Sequence, residues 1–192
     1  MVEEARLEAV DSGLAPQSEG WFVVNVREAA WLAHDEFGAR CVFEADRRVL
    51  GRRPDLEIRR FAELGLTLDV IRPGQRSGLY HAETDQEDFL VLAGECLLLV
   101  EDEERPLRAW DFVHCPPRTA HVFVATGAGP CVIVMVGRRT AGKGIVYPRS
   151  EPALRHGAGV ETETSSPAEA YAPHPHWRPE RPERWDDLPW AE

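Results

Sequence analysis

Between Pro73 and Glu95 the chain reads PGQRSGLYHAETDQEDFLVLAGE, and most of its chemistry-bearing side chains stand there. His81 is followed by two carboxylates, Glu83 and Glu87. A second imidazole, His121, comes in DFVHCPPRTAHVFVA, just after the rigid Pro116-Pro117 pair. Imidazole nitrogens and carboxylate oxygens ligate divalent ions and carry protons, so these types gathered at one point could do either. Strand geometry is one way to gather them. Successive side chains alternate faces, so His81 and Glu83 point the same way, about 6–7 Å apart. A turn at Thr84-Asp85 reverses the chain, and Glu87 opens the next strand on the same face. His121 sits on a later strand that begins after the Pro-Pro turn.

The elements that must position these residues read as short strands. In order they are LTLDVIR, GLYHAE, EDFLVLA, ECLLLVE, DFVHC, AHVFVA and CVIVMVG, followed by GIVYP. The breaks are Pro73-Gly74, Thr84-Asp85, Gly94, an acidic turn around Asp102 to Glu104, Pro116-Pro117 and Gly127 to Pro130. Many short strands with turn signals and no intervening helices predict a sandwich or barrel. Alternation then puts Ser77 and Leu79 on the face of His81, Phe89 and Val91 on that of Glu87, and Phe123 and Ala125 on that of His121. Tyr80, Asp88 and Leu90 face outward. Apolar rings around the polar residues suggest a partly dry cavity for a small organic ligand.

Upstream, residues 1–20 are polar and expected to be flexible or loosely packed. WFVVNV, from Trp21, is rich in strand formers, and REAAWLAHDEF suggests a short helix with Asn25 as N-cap and Glu28 three residues on. RCVFE is a strand candidate. Ala45 to Phe61, with the pairs Arg47/Arg48, Arg52/Arg53 and Arg59/Arg60, reads as an exposed connection. Residues 21–150 make one domain. Residues 151–192 form a Pro/Trp-rich extension holding three of the six tryptophans, and are expected to pack on the barrel or a partner subunit.

Thirty-three acidic against 22 basic residues give a formal charge of -11. That balance repels phosphate backbones and anionic membranes, so neither nucleic acid nor membrane is expected as a partner. A small anionic ligand stays allowed, because a bound cation reverses the field locally. The acidic N-terminus has no apolar core of a secretory signal, and no apolar run approaches a membrane span. Cys41, Cys96, Cys115 and Cys131 are scattered with no CxxC pair and read as buried thiols in a reducing compartment, so the cytoplasm is the expected location.

The arrangement of His81, Glu83, Glu87 and His121 resembles the cupin superfamily. The family's first motif runs Gly, about five residues, His-x-His, three or four residues, Glu, six residues, Gly. Here Gly74, His81, Glu83, Glu87 and Gly94 take those positions, with six residues between Gly74 and His81. The second motif, Gly, five residues, Pro-x-Gly, two residues, His, three residues, Asn, falls on Trp110, Pro116, Arg118, His121 and Ala125. The resemblance covers residues 65–137. Glu83 stands for the second histidine, Trp110 and Arg118 for glycines, and Ala125 for the asparagine. It implies an all-β fold, a single cupin jelly-roll β-barrel with short helical additions at the N- and C-terminal ends.

It also implies a divalent metal on His81, Glu87 and His121, with Glu83 either a fourth ligand or a free carboxylate. Two imidazoles and a carboxylate make the facial triad favoured by non-haem iron(II). A second carboxylate suits Mn, Fe or Zn. Left unligated, Glu83 is placed as a general base. His114 reads as a structural or rim histidine, His174 and His176 as solvated or packing residues, and Cys115 and Cys131 as core thiols. Two functions compete: a metal-dependent enzyme on a small molecule (oxygenase or isomerase/lyase), and a non-catalytic module that binds or senses a small ligand. A storage role is disfavoured by size. The resemblance further implies a homodimer, to which outward Leu90, Leu92, Val122 and Val124 would contribute unless the chain's own ends cover them.

Overall fold

The computed structural model describes residues 1–51, 53–182 and 188. The chain opens with β1 (Leu7–Val10), β2 (Gly13–Pro16), β3 (Ala30–His34), β4 (Gly38–Val42) and α1 (Arg47–Leu50). The barrel strands follow: β5 (Leu64–Ile71), β6 (Ala82–Glu83), β7 (Glu87–Ala93), β8 (Glu95–Val100), β9 (Glu103–Arg108), β10 (Phe112–Cys115), β11 (His121–Ala125), β12 (Cys131–Arg138) and β13 (Ile145–Val146). The chain then forms α2 (Glu151–Arg155), α3 (Pro167–Ala170) and β14 (Arg178–Pro179).

One seven-stranded sheet runs β10-β7-β12-β5-β4-β3-β14, and a three-stranded sheet runs β11-β8-β9. Inward residues of both meet in a common core. Ile71, Phe89, Val91 and Ile133 come from the large sheet, and Cys96, Leu98, Phe123 and Ala125 from the small one. This is the mostly-β jelly-roll expected from the strand pattern. The outward face of the small sheet is covered by the chain itself, where Leu99, Val122 and Val124 pack against Tyr80, Ala153 of α2 and Ala158. Ser150 caps α2 and its hydroxyl donates to Asp102 at 2.6 Å, which fastens this cover to the turn before β9. Farther on, β14 pairs with β3 through Arg178↔Ala33 and Pro179↔Leu32. Trp185 and Trp190, part of the reason to expect a packed tail, lie outside the described residues.

Several local expectations are corrected. REAAWLAHDEF is not a helix: Asn25 does cap, accepting from the backbone N–H of Arg27, but only one turn follows before β3 begins. Both faces of β3 are covered, with Trp31 packed in one core cluster and Leu32 in another, so the strand shows no polar alternation and mimics a helical pattern. WFVVNV forms no strand beyond a bridge from Trp21 to Glu4, and Trp21 and Val23 are exposed. The first twenty residues, expected to pack loosely, contain the β1–β2 hairpin with Ser12, Ala15 and Gln17 buried. The acidic turn runs on into β9, an exposed edge strand in which Pro106 loses nothing by lacking an N–H. The arginine-rich connection contains α1, whose Asp46 cap accepts from Arg48 and Val49 and whose Val49 and Leu50 are buried. Arg52 is outside the described residues.

Three turns aim the strands. Gly94 (φ 76°) leads from β7 to β8, and a Cβ there would meet the Pro130 carbonyl at 2.2 Å, so only glycine fits. Trp110 and Arg118, which stand where the resemblance expects glycine, keep left-handed backbone at φ 76° and 74°. The conformation is anchored in each case, Trp110 N–H donating to Val91 O at 2.7 Å and Arg118 N–H to Glu83 O at 2.6 Å. A side chain in that region costs about 1–2 kcal/mol.

Candidate metal centre

His81 and His121 are direct cross-strand neighbours. Their backbones exchange both hydrogen bonds, His121 N–H to His81 O at 2.9 Å and the reverse at 3.2 Å, and their ring centroids are 5.1 Å apart. Alternation along β11 turns His121 inward beside Phe123, and Phe89 packs against its ring at 5.0 Å. Glu87 reaches the same point from the first residue of β7, where its neighbours are Cys115 of β10 and Gly137 of β12. One ligand atom from each of His81, Glu87 and His121 lies within 4.8 Å of the others. The Nε2 atoms of His81 and His121 stand 3.9 and 3.6 Å from Glu87 Oε2. These separations are too long for hydrogen bonds and leave room for a shared ion.

The donor chemistry fits a cation. His81 Nδ1 is 2.7 Å from Leu79 O, and His121 Nδ1 is 3.0 Å from Thr119 O. A carbonyl only accepts, so both Nδ1 atoms carry the proton and both Nε2 atoms offer a lone pair. Burial and the neighbouring His121 hold His81 down to a pKa of about 3, and burial lowers His121 too, so both rings are neutral. Glu87 is pushed up to about 8, first by burial and then by the charge of Glu83 beside it. A nearby cation would favour the ionised form of this half-buried carboxyl.

Glu83 is not one of the three gathered groups. It lines the same cavity, but its Oε2 forms an ion pair with the Lys143 ammonium. Sequence reasoning missed Lys143, although there was a signal: it is the only lysine in a chain with 21 arginines. The cavity is about 300 Å³, and Ser77, Phe89 and Phe123 line it. Leu79 packs instead with Phe37, Tyr147 and Ala170, while Val91 and Ala125 lie deeper in the core. Arg40, Tyr147, Tyr171 and Trp177 complete the walls. They come from β4 and the segment after β12, too distant along the chain for local pattern to associate with His81. His114 forms an exposed pair with Asp88 at 2.6 Å, and His174 pairs with Glu36 at 3.0 Å. All four cysteines are buried and free. No helix among the described residues is long and apolar enough to cross a membrane.

Residues 67–137 match the sequence model of the cupin domain. Among solved structures, the chain is similar to a candidate sugar phosphate isomerase from Acidithiobacillus ferrooxidans, at 29% identity over 44% of this chain and 55% of that one, with a TM-score of 0.42. It is similar to a cupin-superfamily sugar phosphate isomerase from Silicibacter pomeroyi, at 23% identity over 59% and 73% of the two chains, TM-score 0.44. A third likeness is to a Cupin 2 conserved barrel domain protein from Salinispora arenicola, at 26% identity over 42% and 66%, TM-score 0.39. The chain thus spans about half the length of the first of these. Comparison with curated proteins gives no match.

Proposed function

We propose, from the premise that residues 67–137 of this chain are a cupin domain, that its cavity holds a divalent metal on His81, Glu87 and His121 and acts on a small organic molecule. The observation that carries this reading is the convergence of two neutral imidazole lone pairs and one half-buried carboxyl within 4.8 Å at a cavity wall. A two-His-one-carboxylate set suits Fe, Mn or Zn and leaves coordination positions for a ligand. A divalent ion bound there supplies Lewis acidity toward an oxygen of that ligand. The backbone carbonyls of Leu79 and Thr119 hold the two rings in the ligating tautomer. Phe89 and Phe123 keep water from the inner side of the site. Glu83, left outside the triad, is placed to accept a proton from the ligand, which fits isomerase/lyase or oxygenase chemistry.

Elemental analysis of full-length protein purified without a metal-affinity tag tests the reading. Stoichiometric metal is expected, and His121→Ala should weaken its binding by about a hundredfold or more. A wild-type chain that takes up no Mn, Fe or Zn sinks the proposal. Glu83→Gln should keep the metal and lose turnover.

A second reading, a non-catalytic ligand-binding or sensing module, is favoured by one observation. The Lys143 ammonium on Glu83 neutralises the very carboxylate that would serve as base. Retained ligand affinity with no turnover across a substrate panel would select it.

A further inference from the structure

Arg40 is held in the cavity wall with more care than packing requires. Its Nε and Nη2 make a bidentate pair with Asp69 at 2.6 to 3.0 Å, and Nη2 also donates to Ser77 O at 3.3 Å. Asp69 is fully buried, and Thr67 braces it with a 3.1 Å hydrogen bond. Trp177 stacks on the guanidinium, 4.9 Å from its carbon. Burial works against the charge, but Asp69 more than offsets it and keeps Arg40 a cation. Nη1 alone has no hydrogen-bond partner among the described residues, and it is not among the buried orphaned atoms. A rigid guanidinium with one free edge on a cavity is a preorganised site for an oxygen anion.

The wall between this edge and the metal triad is aromatic. The Tyr147 ring lies 5.8 Å from that of His81, and the Tyr171 ring 5.8 Å from Tyr147. Phe37 joins Tyr171 at 5.5 Å to Trp177 at 6.4 Å. Charge agrees. Arg40 is matched by Asp69 and Lys143 by Glu83, so a divalent ion outweighs the one carboxylate of the triad and gives the cavity an excess of positive charge.

We infer that the cavity takes a small planar or aromatic monocarboxylate, its carboxylate on Arg40 Nη1 and its ring along the Tyr147–Tyr171–Trp177 wall. This deepens the reading of the cavity as a metal-assisted ligand site and rests on it. Two measurements on the Mn²⁺-loaded full chain keep the two claims apart. Mn²⁺ titration reports the metal reading alone. Calorimetric titration with benzoate and with benzamide, its neutral counterpart of the same shape, reports the inference.

Benzoate is expected to bind about tenfold more tightly than benzamide, the worth of a charge-assisted hydrogen bond. Arg40→Lys keeps a cation for Asp69 but lacks the Nη1 edge. It should remove that preference with Mn²⁺ affinity unchanged. If Arg40→Lys does not fold, Trp177→Leu should weaken benzoate about tenfold, again with Mn²⁺ affinity unchanged. Equal affinity for the two probes, no binding of either at millimolar concentration, or a preference that survives Arg40→Lys overturns the inference. So does a preference lost in Lys143→Met and kept in Arg40→Lys, which would move the anion to the other side of the cavity.

Discussion

The mouth and the closed end of this barrel are built from the same strands and are opposites in chemistry. β7 begins with Glu87 at the mouth and continues inward through Phe89 to Val91. β11 begins with His121 and continues through Phe123 to Ala125. Toward the closed end the inward residues are Ile71, Val91, Cys96, Ala125, Cys131 and Ile133, all apolar and almost wholly buried. At the mouth two imidazoles, two carboxyls and an arginine line the cavity, and a lysine pairs with one of the carboxyls. Alternation therefore decides which face a residue takes, and position along the strand decides whether that face holds core or chemistry. The apolar end supplies folding free energy, and the mouth spends part of it to hold groups in unfavourable ionisation states.

The sharpest way to test that contrast is to damage the apolar end alone. Ile133→Ala, opposite Val91 on β12, should lower stability by about 2–5 kcal/mol in chemical denaturation. Its metal stoichiometry should stay at the wild-type value at temperatures where the variant is folded. If metal is lost in step with stability, the two ends are not separable and the contrast fails.

The next effect is of opposite sign. In the metal-free protein Glu87 has a folded pKa of about 8 against 4.5 for an ordinary glutamate, so between these values the folded state binds more protons than the unfolded one. Its contribution to stability therefore falls as pH rises through that window. His81, at about 3 against 6.5, makes stability fall as pH drops from 6.5 toward 3. Thermal melts in chelator should show metal-free Glu87→Gln gaining on the wild type as pH is raised from 4.5 to 8. A wild type and variant that run parallel over that range would show that the mouth carries no such cost.

The smallest effect compares the strained turns, one at each end. Trp110→Gly by the closed end and Arg118→Gly by the mouth should each stabilise the fold by about 1 kcal/mol, since both positions hold left-handed backbone. Equal gains are expected by denaturation. A loss at Arg118 alone would mean that its side chain, and not only its N–H on Glu83 O, supports the site.

Much of this was legible before any coordinates. His81, Glu87 and His121 sit at motif spacing, and a two-residue period puts each on an inward face. The β5, β7, β8, β10, β11 and β12 strands were readable because each is a short run of strand-forming residues with a turn residue at its end. What failed was local pattern under unusual cover: β3 is buried on both sides, and β9 is exposed on nearly every residue, so neither shows the alternation that betrays a strand. The status of Glu83 was likewise open, since nothing within ten residues of it hints at Lys143.

Residue type and short-range spacing thus determined the donor set and the face it occupies, because strand periodicity is a local property of the backbone. The neighbours of the donor set came from long-range packing: Arg40 from β4, Lys143 on Glu83 from the loop after β12, and Tyr171 and Trp177 from the segment laid across the mouth. Those neighbours are fixed by which strands pair and how the chain returns over them, and no local pattern encodes that.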